Sequence, residues 1–183
     1  MILPFNHNHV IPPYLGTDSS LPGNQSPFKT DIMELCQHFA TSKARVDILK
    51  GYVEFRMQCV VCGITGFQWI DGSFVENVEM RESRDPHDID VISFIFNVTP
   101  VTIDNIKNKF TEFVDPRQSK YRYSVDHYVV QADSDPMTTI NGVKYWNQLF
   151  GHNRNGVWKG MLQLPLSNDD SLDTQALNFL NTL

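Results

Sequence analysis

The run "DIDVISFIFNV", Asp88 to Val98, constrains this chain more than any other stretch. Its density of Val, Ile and Phe makes it the strongest strand candidate in the sequence. Two acids stand at its start. In a strand, residues i and i+2 point to the same face, so Asp88 and Asp90 project together while Ile89 turns the other way, into the core. Two adjacent carboxylates repel each other, and a cation between them resolves the repulsion. Oxygen-only ligands favour Mg²⁺ or Mn²⁺.

Around this strand the pattern alternates between helical and extended segments. Residues 1–27 carry Pro4, Pro12, Pro13, Pro22 and Pro27 and read as an extended proline-rich arm. Residues 28–183 read as a single domain. "DIMELCQHFA" fits a short helix, and Ser42 can cap a longer one through "KARVDILKGYVEFRMQCVVC". In that helix Val46, Leu49, Val53, Met57 and Val60 form an apolar stripe. "TGFQWID", between Gly66 and Gly72, reads as a strand, followed by a helical turn near Ser73. Ile103, Ile106, Phe110 and Phe113 predict a helix from about Thr102 to Phe113. "YRYSVDHYVVQA" reads as a further strand, "TTINGVKYWNQLFG" as a helix, "VWKGMLQLPL" as extended and "DSLDTQALNFL" as a final helix. This order implies an α+β (mixed α/β) domain without regular βαβ alternation.

Composition narrows the function classes. At 183 residues, 41% hydrophobic and 20% charged, the chain is long enough to bury a core and is not of disordered type. Its net charge of −6, without a Lys/Arg tract, argues against binding to duplex DNA. No apolar run reaches a membrane span, and the first residues lack the pattern of a signal peptide. A cytoplasmic location is expected, in keeping with three cysteines that suggest no disulfide scaffold.

Asp126, in "YSVDHYVV", also lies near the start of an apolar strand candidate. If the two strands are neighbours, Asp126 joins Asp88 and Asp90, and the three acids can hold two metal ions. Upstream, Gly72 lets backbone approach a ligand, and a helical turn at Ser73 would present free N–H groups and a hydroxyl to phosphate oxygens. Each feature has a plainer reading: solvated acids at strand ends, and a glycine turn with Ser as helix cap.

Taken together, strand, Gly-Ser, helical turn, D-x-D opening a second strand and a third Asp on a later strand resemble the DNA polymerase beta-like nucleotidyltransferase superfamily. The match covers about Gly66 to Val130. The wider pattern, "HVIPP" followed by "DGSFV" and "DIDV", also resembles a small bacterial family of such proteins of unknown function. The resemblance implies a nucleotidyltransferase-like fold, a mixed sheet flanked by helices. It implies Gly72 and Ser73 as phosphate-binding residues, and Asp88, Asp90 and Asp126 as catalytic ligands of two Mg²⁺ (or Mn²⁺) ions. The implied reaction moves an NMP from an NTP to a hydroxyl acceptor and releases pyrophosphate, with Asp126 as base. A protein or RNA acceptor is expected, as in toxin–antitoxin or phage-defence pairs. The alternative is an inactive, antitoxin-like module of the same fold that binds nucleotide or protein. Fourteen residues, Phe74 to His87, separate Ser73 from Asp88, slightly more than is usual in that superfamily. The extra length reads as a looped insertion over "EMRESRDP".

Lys159, beside a glycine at a strand start, is a candidate phosphate contact, as are Arg84, His152 and Arg154. Trp69, Trp146 and Trp158 read as core residues, with base stacking as the functional option. Cys36, His38, Cys59 and Cys62 are conceivable zinc ligands, but they sit in predicted helices, where buried thiols are the simpler account. His7 and His9 lie in the arm with no further ligand nearby.

Overall fold

The computed structural model describes residues 2–183. Five strands form one mixed sheet: β1 (Phe28–Lys29), β2 (Thr65–Asp71), β3 (Ile89–Phe96), β4 (Val125–Gln131) and β5 (Leu162–Leu166), in the order β1-β5-β2-β3-β4. β2 runs antiparallel to both β3 and β5, whereas β3 and β4 are parallel, as are β1 and β5. Helices α1 (Ile32–Phe39), α2 (Lys43–Val61), α3 (Val78–Glu82), α4 (Pro100–Lys109), α5 (Pro116–Tyr123), α6 (Pro136–Phe150) and α7 (Ser171–Leu180) flank it. The fold is therefore mixed α/β.

Side-chain caps fix most helix starts. Asp31 accepts from the Glu34 N–H and Ser42 from the Arg45 N–H. Three helices begin on an Asp-Pro or Thr-Pro step, in which the capping side chain takes an orphan N–H and proline pre-sets the first helical φ. One of these, Asp115-Pro116, opens α5, a helix that the Tyr/Val content of "YRYSVDHYVVQA" conceals. The expected strand loses Tyr121 to Tyr123 to that helix, and Ser124, at φ 56°, turns the chain into β4. The helix expected from Thr102 to Phe113 is likewise shorter. It stops at Lys109, and a 3-10 turn follows at Thr111–Val114. The break brings Phe110 and Phe113 onto Phe55, with ring centroids 5.0 and 6.1 Å away, and leaves Ile103 exposed.

The two faces of the sheet differ. Ile70, Ile89, Val91, Ile95 and Val125 face the main core, where α2 lies with Leu49, Tyr52, Val53 and Phe55 fully buried. Trp69, Ile92 and Phe94 face a smaller core, closed by Trp146 and Phe150 of α6 and by Met161. The proline-rich stretch packs on the domain. Val10 and Ile11 are fully buried, Asn77 N donates to His9 O (2.9 Å) and Gly160 N to Ile11 O (2.8 Å). Among the described residues, no helix is long and apolar enough to cross a membrane.

Candidate functional site

Strand register brings the acids together. Asp71 is the partner of Asp90 across the antiparallel β2–β3 pair, and Asp90 is the partner of Asp126 across the parallel β3–β4 pair. Partner residues point to the same face, so three carboxylates form a row across the ends of three strands. Asp88, two residues before Asp90, adds a fourth. The two β strands expected to carry Asp90 and Asp126 are neighbours, and the sequence reading missed Asp71, which also points into this row. Its signal was available: in "QWIDGS", Asp71 is in phase with Trp69 and ends the strand.

Gly72 meets this row at its β2 end. Its φ of 82° lies in the left-handed region, and a Cβ placed there would sit 1.8 Å from Asp90 Oδ2. Only glycine lets the Asp90 carboxylate lie against the backbone at that point. The expected helical turn is a 3-10 turn at Ser73–Val75 followed by α3, so the segment read as a looped insertion is partly helical. Ion pairs tie it down: Glu79 to Arg45 at 2.5 Å, and Arg81 to Glu76.

Lys159 lies beneath the turn. It is 2% exposed, and its ammonium donates to Gly72 O (3.0 Å), Asp71 Oδ2 (3.0 Å) and Glu76 Oε1 (2.8 Å). All three donors face protein acceptors, so Lys159 braces the Gly72-Ser73 turn from the inside and is turned away from open space. Burial pushes Asp71 up to about 7, against the pull of Lys159 and the Gly72 N–H. Its Oδ1 is buried with no hydrogen-bond partner among the described residues.

Asp90 is pushed up to about 6, first by desolvation and then by the charges of Asp88 and Asp126, against the weaker pull of Lys159 and Lys120. Lys120, on the exposed side of α5, bridges the other two acids. Its ammonium pairs with Asp88 and lies 3.4 Å from Asp126 Oδ2. Part of the positive charge expected from metal ions is thus supplied by a lysine that sequence reasoning did not single out. Among the described residues no group of three or more His, Cys, Asp or Glu side chains stands ready to share one metal ion.

The donor set nevertheless fits a hard divalent cation. Five carboxylates (Asp71, Glu76, Asp88, Asp90, Asp126) face three cations (Lys120, Lys159, Arg81), which leaves two negative charges unmatched when all are ionised. Every acceptor is oxygen, and one of them, Asp71 Oδ1, is a buried orphan.

The remaining candidates disperse. Arg84 pairs with Glu82 at 2.7 Å on the surface, Arg154 is exposed, and His152 forms an isolated bridge with Trp158. Trp69 and Trp146 are core residues as expected, but Trp158 is 74% exposed. Cys36, Cys59 and Cys62 are buried free thiols, and burial pushes the Cys36 thiol up to about 12. Such thiols are inert rather than ligating.

Residues 3–165 match the sequence model of one family, described as a family of unknown function (DUF6932). No curated protein matches the chain, and no solved structure does.

Proposed function

The chain belongs to that family of unknown function, and from the geometry of its acid row we propose that it is a metal-dependent nucleotidyltransferase. In this reading it moves an NMP from an NTP to the hydroxyl of a protein or RNA acceptor and releases pyrophosphate. The observation that carries the reading is the shared register of Asp71, Asp90 and Asp126, with Gly72 pressed against Asp90. The roles follow from position. Gly72 and Ser73, at the β2 end, take the triphosphate, Gly72 by letting it approach the backbone and Ser73 through its N–H and hydroxyl. Lys159 holds that turn in place through the Gly72 carbonyl. Asp88, Asp90 and Asp126 would hold Mg²⁺ or Mn²⁺. Bound there, the metal supplies the charge neutralisation that a triphosphate needs beside carboxylates. Asp126, the acid farthest from Gly72 across the strands, takes the acceptor's proton. A partnered acceptor, as in a toxin–antitoxin or phage-defence pair, belongs to the same proposal.

A second reading is a module of the same fold that binds nucleotide or protein without chemistry. A specific observation favours it: Lys120 neutralises Asp88 and Asp126, and no group of three or more His, Cys, Asp or Glu side chains is preformed for a metal among the described residues. One experiment separates the two. The full chain is incubated with α-labelled NTPs and Mg²⁺ or Mn²⁺ in a cell extract, and NTP binding is measured in parallel by calorimetry. Transfer that is lost in Asp88→Ala/Asp90→Ala supports the enzyme. Binding without transfer supports the module. Transfer that survives the double substitution removes the acid row from the chemistry.

A further inference from the structure

The acceptor side of this site ends on a hydroxyl of the chain itself. β4 is an edge strand, and Tyr128 follows Asp126 by two residues, on the same face. It is the one hydroxyl-bearing residue of β4. The phosphate turn lies at the opposite end of the row, on β2, so phosphates and Tyr128 flank the acids from two sides. The phenol ring is fixed in place. It packs on Trp146 with centroids 4.8 Å apart, and Trp146 is itself anchored on Phe150 at 5.3 Å. Yet Tyr128 remains 41% exposed, so a nucleotide can reach it.

We propose that Tyr128 is a self-modification site, the hydroxyl that accepts the nucleotidyl group in cis; the inference rests on the nucleotidyltransferase reading above. The phenolic oxygen forms a bond to the α-phosphorus of the NTP. The bond from that phosphorus to the oxygen bridging the β-phosphate breaks, and pyrophosphate leaves with the electron pair. The phenolic proton passes to the Asp126 carboxylate and from there to solvent. The product is an O-nucleotidyl tyrosine on β4. A phenol attacks phosphorus more readily as its proton leaves, and Asp126, two residues away on the same face of β4, is the carboxylate placed to take it.

The test uses the full chain with NTPs and Mg²⁺ or Mn²⁺, read by intact mass and peptide mapping. A parallel calorimetric titration uses an NTP analogue whose α–β bond cannot be cleaved. The expected result is a mass gain of one NMP, mapped to Tyr128 and lost in Tyr128→Phe, with analogue binding by Tyr128→Phe unchanged. An adduct on another residue overturns the inference. So does analogue binding with no adduct, or an adduct that persists in Tyr128→Phe, and both leave the nucleotide site standing. No analogue binding by the unmodified chain overturns the nucleotide site and the inference together.

Discussion

The two faces of the sheet both bury polar groups, and they treat them in opposite ways. On the α2 face a hydrogen-bonded chain crosses the core. Arg56 pairs with Asp173 (2.5 Å) and donates to Gln68 Oε1 (3.0 Å), Gln68 Nε2 donates to Ser93 Oγ (3.0 Å), and Ser93 Oγ lies 2.8 Å from His127 Nε2. His127 Nδ1 ends the chain on Phe113 O at 2.9 Å. A carbonyl can only accept, so Nδ1 carries the proton and Nε2 accepts from Ser93. Each link has its partner. On the other face, one residue out of phase, stand Asp71, Asp90 and Asp126, which repel one another and leave a buried oxygen orphaned. A saturated network supports one unique packing, whereas an unsaturated one leaves a polar group whose burial costs stability.

Arg56→Met tests the first half of that contrast and has the largest expected effect. It strips the partner from a 2% exposed Asp173 and a donor from Gln68, and uncompensated buried charge of this kind costs about 3–5 kcal/mol. Chemical denaturation measures the loss, and a change under about 1 kcal/mol contradicts a structural role for the chain. Asp90→Asn tests the second half, and its two effects have opposite signs. Removing one of several like charges holds or raises stability, while the proposed nucleotidyl transfer falls by about 10²–10³-fold, as when a group aimed at developing charge is lost. A destabilised Asp90→Asn protein would move the acid row into the structural class.

This contrast was only half legible in the sequence. The D-x-D pair, the Gly-Ser turn and the strand of Asp126 follow from period-2 reasoning and local composition, which one sequence displays directly. Asp71 follows the same alternation, but a single acid that closes an apolar run has no D-x-D partner to mark it. Lys120 was not legible, because α5 was hidden in a segment rich in Tyr and Val, and only the crossover between β3 and β4 places it above the acids. Lys159 was placed in sequence beside a glycine, yet the direction of its ammonium depends on β5 pairing with β2, a contact between residues far apart in the chain. The buried chain from Arg56 to His127 has the same character. It spans α2, α7 and three strands, and no local pattern encodes it.

The two faces also respond oppositely to pH. Burial pushes His127 down to about 3. Between its unfolded value near 6.5 and that folded value the native state binds fewer protons than the unfolded chain. Its contribution is thus complete above about pH 6.5 and is lost at about 1.4 kcal/mol per pH unit as pH falls. Asp90, raised to about 6, works the other way: its stabilising share is present below about pH 4 and is lost as pH rises through 6. Asp71, raised to about 7, adds a second slope of that sign. Between about pH 4.5 and 6 the two acids outweigh His127, so the unmodified chain loses stability as pH rises, and Asp90→Asn, which removes one acid slope, should show a flatter profile over this range. Equal slopes in parallel denaturation series would show that Asp90 does not titrate as described.

The smallest effect is expected at Lys120, where the contrast between the faces is most finely balanced. Its side chain is half exposed, and an exposed ion pair is worth at most about 1 kcal/mol, so Lys120→Met should leave the melting temperature nearly unchanged. The functional consequence is larger than the structural one. With the lysine gone, Asp88 and Asp126 lose their only bridging cation among the described residues, and the full repulsion of the row falls on whatever ion can enter. Mn²⁺ should therefore bind Lys120→Met more tightly than the unmodified chain, read by calorimetry or by the magnetic relaxation of water, with no nucleotide present. Weaker binding would mean that Lys120 helps to shape the site it bridges. Unchanged binding would mean that the ion does not use Asp88 and Asp126, and the acid row would then have to find its partner in a protein cation instead.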